Sequence, residues 1–172
     1  MKTLITSLLS LCLVLSFACS AFSADSGRGI RLENDGPHYL NLAVGTFEAF
    51  DDTDDSLAGQ IEFRYGKKLY RVGPLAGIYA NLDGGVFGYA GLYVDLAMGS
   101  FVLSPQTSIA AFEQGRSKDL GGTFQFMSGI GLAWEFADRS RLGIRYQHIS
   151  NANLHDKNPG ADILLLNYGI AL

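Results

Sequence analysis

A two-residue alternation between large apolar side chains and small or polar ones is the feature of this 172-residue chain that most limits its fold. Segments 57–65 and 124–136 are two of the places where this alternation occurs. Because successive side chains of a β-strand point to opposite faces, this period predicts strands with one apolar face. It is clearest at the C-terminus, where every second residue is large and apolar: Leu164, Leu166, Tyr168, Ile170 and Leu172.

Eight strands are predicted, although Pro74 and Pro105 interrupt the third and the fifth. Short turns at one end and longer polar loops at the other are typical of a bacterial outer-membrane barrel with both termini in the periplasm. The predicted short turns are 66–71, 98–100 and 137–140, and the predicted longer loops are 48–56, 114–122 and 151–161. The predicted strands are 39–47, 57–66, 72–81, 86–97, 100–112, 123–136, 141–150 and 162–172.

Polar residues on the opposite parity argue against a soluble sandwich or a lipocalin-like barrel, which would alternate in the same way. In a soluble barrel these residues would form a charged core. In a membrane barrel they face inward, where opposite charges can pair, while the apolar residues contact lipid. We therefore predict an all-β fold, an eight-stranded antiparallel transmembrane β-barrel. The inward-facing set comprises Asn41, Gln60, Glu62, Arg64, Asp95, Glu135 and Arg145.

The start of the chain has the pattern of a secretory signal peptide. Residues 1–23 contain an early lysine, an apolar run and small residues before a cleavage after Ser23, which leaves 24–172 as the predicted barrel. Both cysteines, Cys12 and Cys19, lie in the segment predicted to be removed. The mature chain is thus expected to have no disulfide and no cysteine metal site. The formal net charge of −4 gives no reason to expect nucleic acid as a partner.

Three polar residues interrupt the apolar face of the last two predicted strands. His148 and Ser150 share the parity of Leu142, and Asp162 shares the parity of Leu164. Ionisable groups that face hydrocarbon are costly, so they indicate function by default. The alternative is that they lie at the headgroup boundary, where the cost is small.

Together these residues have the chemistry of a serine esterase. Residues two apart on a strand lie about 6.5 Å apart on one face, so the His148 imidazole can reach the Ser150 hydroxyl. The Asp162 carboxylate, on the neighbouring strand, can hold the other ring nitrogen, which completes a nucleophile, a general base and an orienting acid. Such a triad requires no metal or cofactor. With a periplasmic N-terminus, the site is expected at the outer leaflet, where lipopolysaccharide is the main lipid.

The stretch from His148 to Ala152 resembles the His-x-Ser-Asn motif of the lipid A 3-O-deacylase (PagL) family, with an acidic residue twelve positions after the serine. The resemblance implies Ser150 as nucleophile, His148 as general base and Asp162 as orienting acid. The implied activity is hydrolysis of the ester-linked 3-O acyl chain of lipid A, with lipopolysaccharide as the substrate and the bacterial outer membrane as the location.

The same resemblance implies roles for three further residues. Asn151 and Asn158 are candidates for positioning or oxyanion stabilisation, and Phe126 corresponds to an aromatic side chain beside the site. The sequence departs from the family at the acidic position, where glutamate is usual. Asp162 is one methylene shorter, which removes about 1.5 Å of reach.

Two alternative functions remain open at this point. One is a non-enzymatic outer-membrane barrel with a structural or adhesive role, for which the acidic loop segment 51–55 is suited. The other is a different outer-membrane lipid enzyme, a phospholipase or an acyltransferase. The remaining histidines, His38 and His155, are expected to be solvated.

Overall fold

Within residues 29–50 and 55–172, which the computed structural model describes, the chain forms ten β-strands. The predicted signal peptide, 1–23, and most of the acidic segment 51–55 lie outside the described residues. In the described ranges no helix is long and apolar enough to cross a membrane. The strands are β1 (Ile30–Leu32), β2 (Tyr39–Phe47), β3 (Ser56–Arg64), β4 (Gly73–Asn81), β5 (Val86–Tyr93), β6 (Leu96–Met98), β7 (Phe101–Glu113), β8 (Phe124–Glu135), β9 (Arg141–Ser150) and β10 (Ala161–Ala171).

The eight longer strands close into an antiparallel barrel, which confirms the predicted fold. They pair in the order β2, β3, β4, β5, β7, β8, β9 and β10, and β10 returns to β2. The short β6 continues β5 along β7 in the same register. The break between β5 and β6 lies opposite Pro105. Because Pro105 has no N–H, the Val94 N–H donates to the Pro105 carbonyl at 3.2 Å without a return bond.

The predicted segment 86–97 is divided into β5 and β6, and β1 was not predicted. The bounds of the other seven strands lie within two residues of the predicted segments. Pro74 and Pro105 do not end their strands, because each lies inside a paired strand, β4 or β7. The connections β3–β4, β6–β7 and β8–β9 meet at one end of the barrel, called here the turn end. The connections β2–β3, β4–β5, β7–β8 and β9–β10 meet at the other, called here the loop end. One connection at the loop end, 82–85, is a tight turn rather than a long loop.

The outer wall of the barrel is apolar. Aromatic side chains lie on it near the turn end, where Phe101 and Trp134 make an edge-to-face contact with ring centroids 5.0 Å apart. An apolar band flanked by aromatic residues is the surface that a bilayer requires of a membrane barrel. Exposed apolar residues on this wall include Leu42, Val44, Ile61, Phe63, Ile78, Leu92, Ile109, Ile130, Leu132, Ile144, Leu164 and Leu166.

The turn-end half of the interior is a network of buried charges. Glu62 is fully buried, 2.8 Å from Arg64 and 3.1 Å from Arg145. Asp95 lies 3.0 Å from Arg141, which also bonds Glu33 at 3.1 Å. The charges predicted to face inward are therefore buried in pairs, as the barrel interior requires.

The loop-end half of the interior is an apolar core. Phe87 and Phe112 stack there with centroids 4.3 Å apart, and Leu120 inserts from the β7–β8 loop. The small or polar character that alternation indicated for the second face of most strands therefore does not extend to this half. The core lies directly behind the ends of β9 and β10 and packs them in place. It also contains Phe47, Tyr79, Met127, Ile149, Ile163 and Leu165.

Candidate active site

His148 and Asp162 meet on the outer wall at the loop end of the β9–β10 hairpin. The two residues lie directly opposite each other in the register of β9 and β10. His148 Nδ1 is 2.8 Å from Asp162 Oδ1, and their side chains remain 45% and 33% exposed. The sequence-predicted pair is thus within hydrogen-bonding distance on the lipid-facing side.

Alternation in β9 and β10 fixes the direction of these side chains. Ile149, between His148 and Ser150, points into the barrel core and is fully buried, as is Ile163 next to Asp162. A one-residue slip in either strand would move these apolar residues to the outside and the polar ones into the core. The packed core therefore holds the site in its outward orientation.

Ser150 lies on the same outward face as His148, two residues further along β9. Among the described residues, no hydrogen bond joins the Ser150 hydroxyl to His148. Because Asp162 binds Nδ1, His148 presents Nε2 as the nitrogen that can accept the serine proton. In substrate-free enzymes this contact is often long and tightens when substrate binds.

Tyr146 is a second partner of Asp162 that sequence patterns did not single out. Its hydroxyl donates to Asp162 Oδ1 at 2.5 Å, so one carboxylate oxygen accepts from both Tyr146 and His148. Phe50, from the β2–β3 loop, packs its ring 6.2 Å from that of Tyr146. In the sequence, the indication of a role for Tyr146 was its position two residues before His148, on the same face of β9.

Asn151 points inward, away from the candidate catalytic residues. It is fully buried, and its amide donates to the carbonyls of Leu120 at 2.8 Å and Lys157 at 2.6 Å. Its Oδ1 accepts from the N–H of Asn153 at 2.9 Å. The side chain therefore ties the β7–β8 and β9–β10 loops together. Since both amide hydrogens are used, Asn151 has no side-chain donor left for an oxyanion.

Asn158 occupies a more open position in the β9–β10 loop. Its Oδ1 accepts from the Asn151 N–H at 2.9 Å. Its amide nitrogen bonds no described residue. Of the two asparagines, Asn158 is therefore the one with a free donor near the site.

Phe126 lies directly opposite Ser150 in the register of β8 and β9. The ring faces outward, is 39% exposed and makes an edge-to-face contact with Phe124 at 5.2 Å. An exposed aromatic surface therefore adjoins Ser150.

Gly160 shapes the site from the end of the β9–β10 loop. It has a φ of +70°, and a Cβ there would lie 3.1 Å from His148 Cε1. Glycine allows both the left-handed backbone and the close approach of the imidazole. The signal in the sequence was a glycine immediately before the last strand.

His38 and His155 were expected to be solvated, and this expectation is wrong. His38 accepts a hydrogen bond from the Gly66 N–H at 3.0 Å and stacks on Tyr65 with centroids 4.6 Å apart. His155 packs so closely over Gly122 that a Cβ there would lie 2.4 Å from its ring. Both rings are half-buried and pack in the fold.

Within 29–50 and 55–172, no three His, Cys, Asp or Glu side chains are grouped to hold a metal ion.

Comparison with known proteins agrees with this geometry. A family model described as "Lipid A 3-O-deacylase (PagL)" matches residues 38–171, nearly the whole barrel. The chain belongs to this family. A curated lipid A deacylase PagL of Bordetella bronchiseptica (strain ATCC BAA-588 / NCTC 13252 / RB50) is 40% identical over 76 residues. That match covers 44% of this chain and 39% of the relative, so it spans less than half of the length of the relative.

Solved structures share the barrel fold of this PagL-family chain. The crystal structure of the outer membrane enzyme PagL aligns with a TM-score of 0.64 and 21% identity, covering 78% of this chain and 99% of that one. Neisserial surface protein A aligns with a TM-score of 0.55 and 14% identity, covering 81% of this chain and all of that one. A designed transmembrane β-barrel gives a TM-score of 0.58 at 12% identity, with 81% and 100% coverage. With family membership, the barrel fold and the apolar wall support an outer-membrane location.

Proposed function

We propose that this protein hydrolyses the ester-linked 3-O acyl chain of lipid A, with Ser150 as nucleophile, His148 as general base and Asp162 as orienting acid. The observation that carries the proposal is the hydrogen-bonded His148–Asp162 pair on the lipid-facing wall, with Ser150 on the same face of β9. Membership of the lipid A 3-O-deacylase family supports lipid A as the substrate.

The reaction takes place in two steps. As Ser150 Oγ attacks the acyl carbonyl carbon, His148 Nε2 accepts the hydroxyl proton, and Asp162 stabilises the imidazolium through Nδ1–H. His148 then donates the proton to the departing 3-oxygen of the sugar, which leaves an acyl-serine. In the second step His148 activates a water molecule that releases the fatty acid and restores Ser150.

The negative oxygen of the tetrahedral intermediate requires hydrogen-bond donors. The free amide of Asn158 and backbone N–H groups of the β9–β10 loop are our candidates for this oxyanion site. Asn151 contributes by positioning, since its amide ties the β9–β10 loop to the β7–β8 loop.

We assign the active site to the outer leaflet. His148, Ser150 and Asp162 lie at the loop end, opposite the end where β2 begins and β10 finishes. Barrels of this kind keep both termini and their short turns in the periplasm. The ester of a lipid anchored in the outer leaflet would then lie at the height of the triad.

Replacement of Ser150 tests the proposal. We expect Ser150→Ala to leave the barrel folded and to lower deacylation by at least about 10³-fold, because the nucleophile is lost. The measurement is the mass spectrum of lipid A from cells that express each variant. Thr46→Val, which removes another hydroxyl from the outer wall, is the matched control and should deacylate normally.

The alternative functions give different results in the same experiment. Equal loss of the acyl chain in the wild type and Ser150→Ala would contradict the proposed nucleophile. Products derived from phospholipid, with unchanged lipid A, would indicate a phospholipase or acyltransferase. Folded protein with no lipid product at all would favour the non-enzymatic barrel.

A further inference from the structure

A row of polar side chains continues from the candidate site across the outer wall. Asp162 lies opposite His148, His148 lies opposite Ser128 on β8, and Ser128 lies opposite Thr107 on β7. These four residues are called here the polar row. Ser128 and Thr107 have the outward parity of their strands and are partly exposed.

The surroundings of Ser128 and Thr107 are apolar. Along its own strand Ser128 is flanked on the outward face by Phe126 and Ile130, and Thr107 by Pro105 and Ile109. Neither hydroxyl bonds another described residue. Polar groups exposed to lipid point to function. Ser128 adjoins the His148–Asp162 pair, to which the proposed function gives a catalytic role, and Thr107 adjoins Ser128.

The polar row runs obliquely down the wall, away from the loop end. His148 lies two residues from the loop end of β9, Ser128 four from that of β8, and Thr107 six from that of β7. Strands of such barrels are tilted by about 35–45°, so a row perpendicular to them descends into the membrane. With neighbouring strands about 4.8 Å apart, Thr107 lies about 10 Å from His148 at the backbone.

We propose that Ser128 and Thr107 form a subsite that binds a hydroxyl group on the acyl chain of the substrate, close to the ester carbonyl. This inference rests on the proposed function, because it takes His148 and Ser150 as the reacting residues. The alcohol side of the ester stays at the loop end in water. The acyl side enters the membrane in the direction in which the polar row descends.

The spacing suits a hydroxyl on the third carbon of the chain. At about 1.5 Å per bond, this oxygen lies about 3–4 Å from the carbonyl carbon. Ser128 is the diagonal neighbour of Ser150 across β8 and β9, about 7–8 Å away at the backbone, and the Ser150 side chain, the ester carbon and this oxygen together span that distance. Ser128 contacts the hydroxyl, and Thr107, one strand further, supplies a second hydrogen-bonding group.

The test compares two 4-nitrophenyl esters of equal chain length, one with a hydroxyl on carbon 3 and one without, in detergent micelles. The wild type should cleave the hydroxylated ester with the higher kcat/KM. Ser128→Ala and Thr107→Val should each lower this preference about 3- to 10-fold, the value of one hydrogen bond. The kcat/KM for the plain ester should stay within about twofold.

Thr46→Val is the matched control for the subsite. Thr46 is an outward-facing hydroxyl on β2, opposite Leu164 and outside the polar row, so its loss should not change the preference. An unchanged preference in both Ser128→Ala and Thr107→Val would overturn the subsite. Equal loss on both esters would also overturn it, since these residues would then act on the catalytic groups. A wild type that cleaves neither ester nor lipid A would contradict the proposed function itself, and the subsite with it.

Discussion

Asp162 contacts His148 although its side chain is shorter than the glutamate that is usual at this position of the family motif. The missing methylene removes about 1.5 Å of reach. However, Asp162 is directly opposite His148 across β9 and β10, so its carboxylate still lies 2.8 Å from the imidazole. The second hydrogen bond, from Tyr146, limits the rotation of the carboxylate. Cross-strand register thus compensates for side-chain length.

We expect Tyr146→Phe to lower kcat about 3- to 10-fold and to change KM less than twofold. The substitution removes the hydroxyl that holds Asp162, while the ring and its packing against Phe50 remain. Hydrogen bonds to charged groups contribute about 1.5–3 kcal/mol, and the partial exposure of Asp162 lets water replace some of this. Steady-state kinetics with an acyl ester in micelles measures the effect.

The control for this variant is Tyr168→Phe, on the outer wall of β10 and away from the site. It should keep wild-type kinetics. If both variants lose activity equally, the loss reflects general destabilisation, and Tyr146 has no role in positioning Asp162.

Strand β9 has a different task on each of its faces. Outward it carries His148 and Ser150, and inward it carries Arg145, whose guanidinium bonds Glu62 and Gln60. The residues that stabilise the barrel and those proposed for catalysis therefore lie on opposite faces of one strand. This separation allows one to be changed without the other.

Arg145→Ala should destabilise the barrel without lowering the proposed activity of each folded molecule. Removing one partner of a buried ion pair costs about 3–5 kcal/mol, and we expect about 3 kcal/mol because Arg64 still pairs with Glu62. The urea midpoint of the micelle-bound barrel reports this loss. Arg139→Ala, at a partly exposed pair, should cost less than about 1 kcal/mol. Reduced activity per folded molecule in Arg145→Ala would contradict the separation of faces.

Alternation predicted the strands and the outward parity of His148, Ser150 and Asp162, because a period of two is a property of the local backbone. It did not predict which residues of β9 and β10 lie opposite each other, because that register depends on the packing of a ten-residue loop. The parity of the residues also did not predict that the interior is apolar at the loop end and charged at the turn end. The apolar core at the loop end is formed by side chains from many strands, so it emerges only when the barrel closes.

The inward direction of Asn151 was present in the sequence, since it has the parity of Ile149 rather than that of Ser150. The role of Tyr146 could not be predicted from the sequence, because a tyrosine on the outer wall of a membrane barrel is ordinary at an interface. Its hydroxyl acquires a partner only through the diagonal approach of Asp162 from the next strand.

At the scale of the whole molecule, the barrel is a filled scaffold, and the proposed active site lies on its outer wall. The loop-end half of the interior is packed with apolar side chains, and the turn-end half holds paired charges. Segment 29–38 adds to the turn end, where β1 pairs with β6 and Glu33 bonds Arg141. In the proposed function a substrate approaches the site laterally, from the lipid, and the orientation of the barrel decides which leaflet supplies it.

Single cysteines at the two ends of the barrel test that orientation. Asp156 is exposed at the loop end and Lys67 is exposed at the turn end. We expect Asp156→Cys to react with a membrane-impermeant maleimide in intact cells, and Lys67→Cys to react only after the outer membrane is opened. The unsubstituted protein is the control, since its two cysteines lie in the segment predicted to be cleaved and it should remain unlabelled. Labelling of Lys67→Cys alone in intact cells would invert the barrel and place the triad at the inner leaflet, where the proposed approach of lipid A fails.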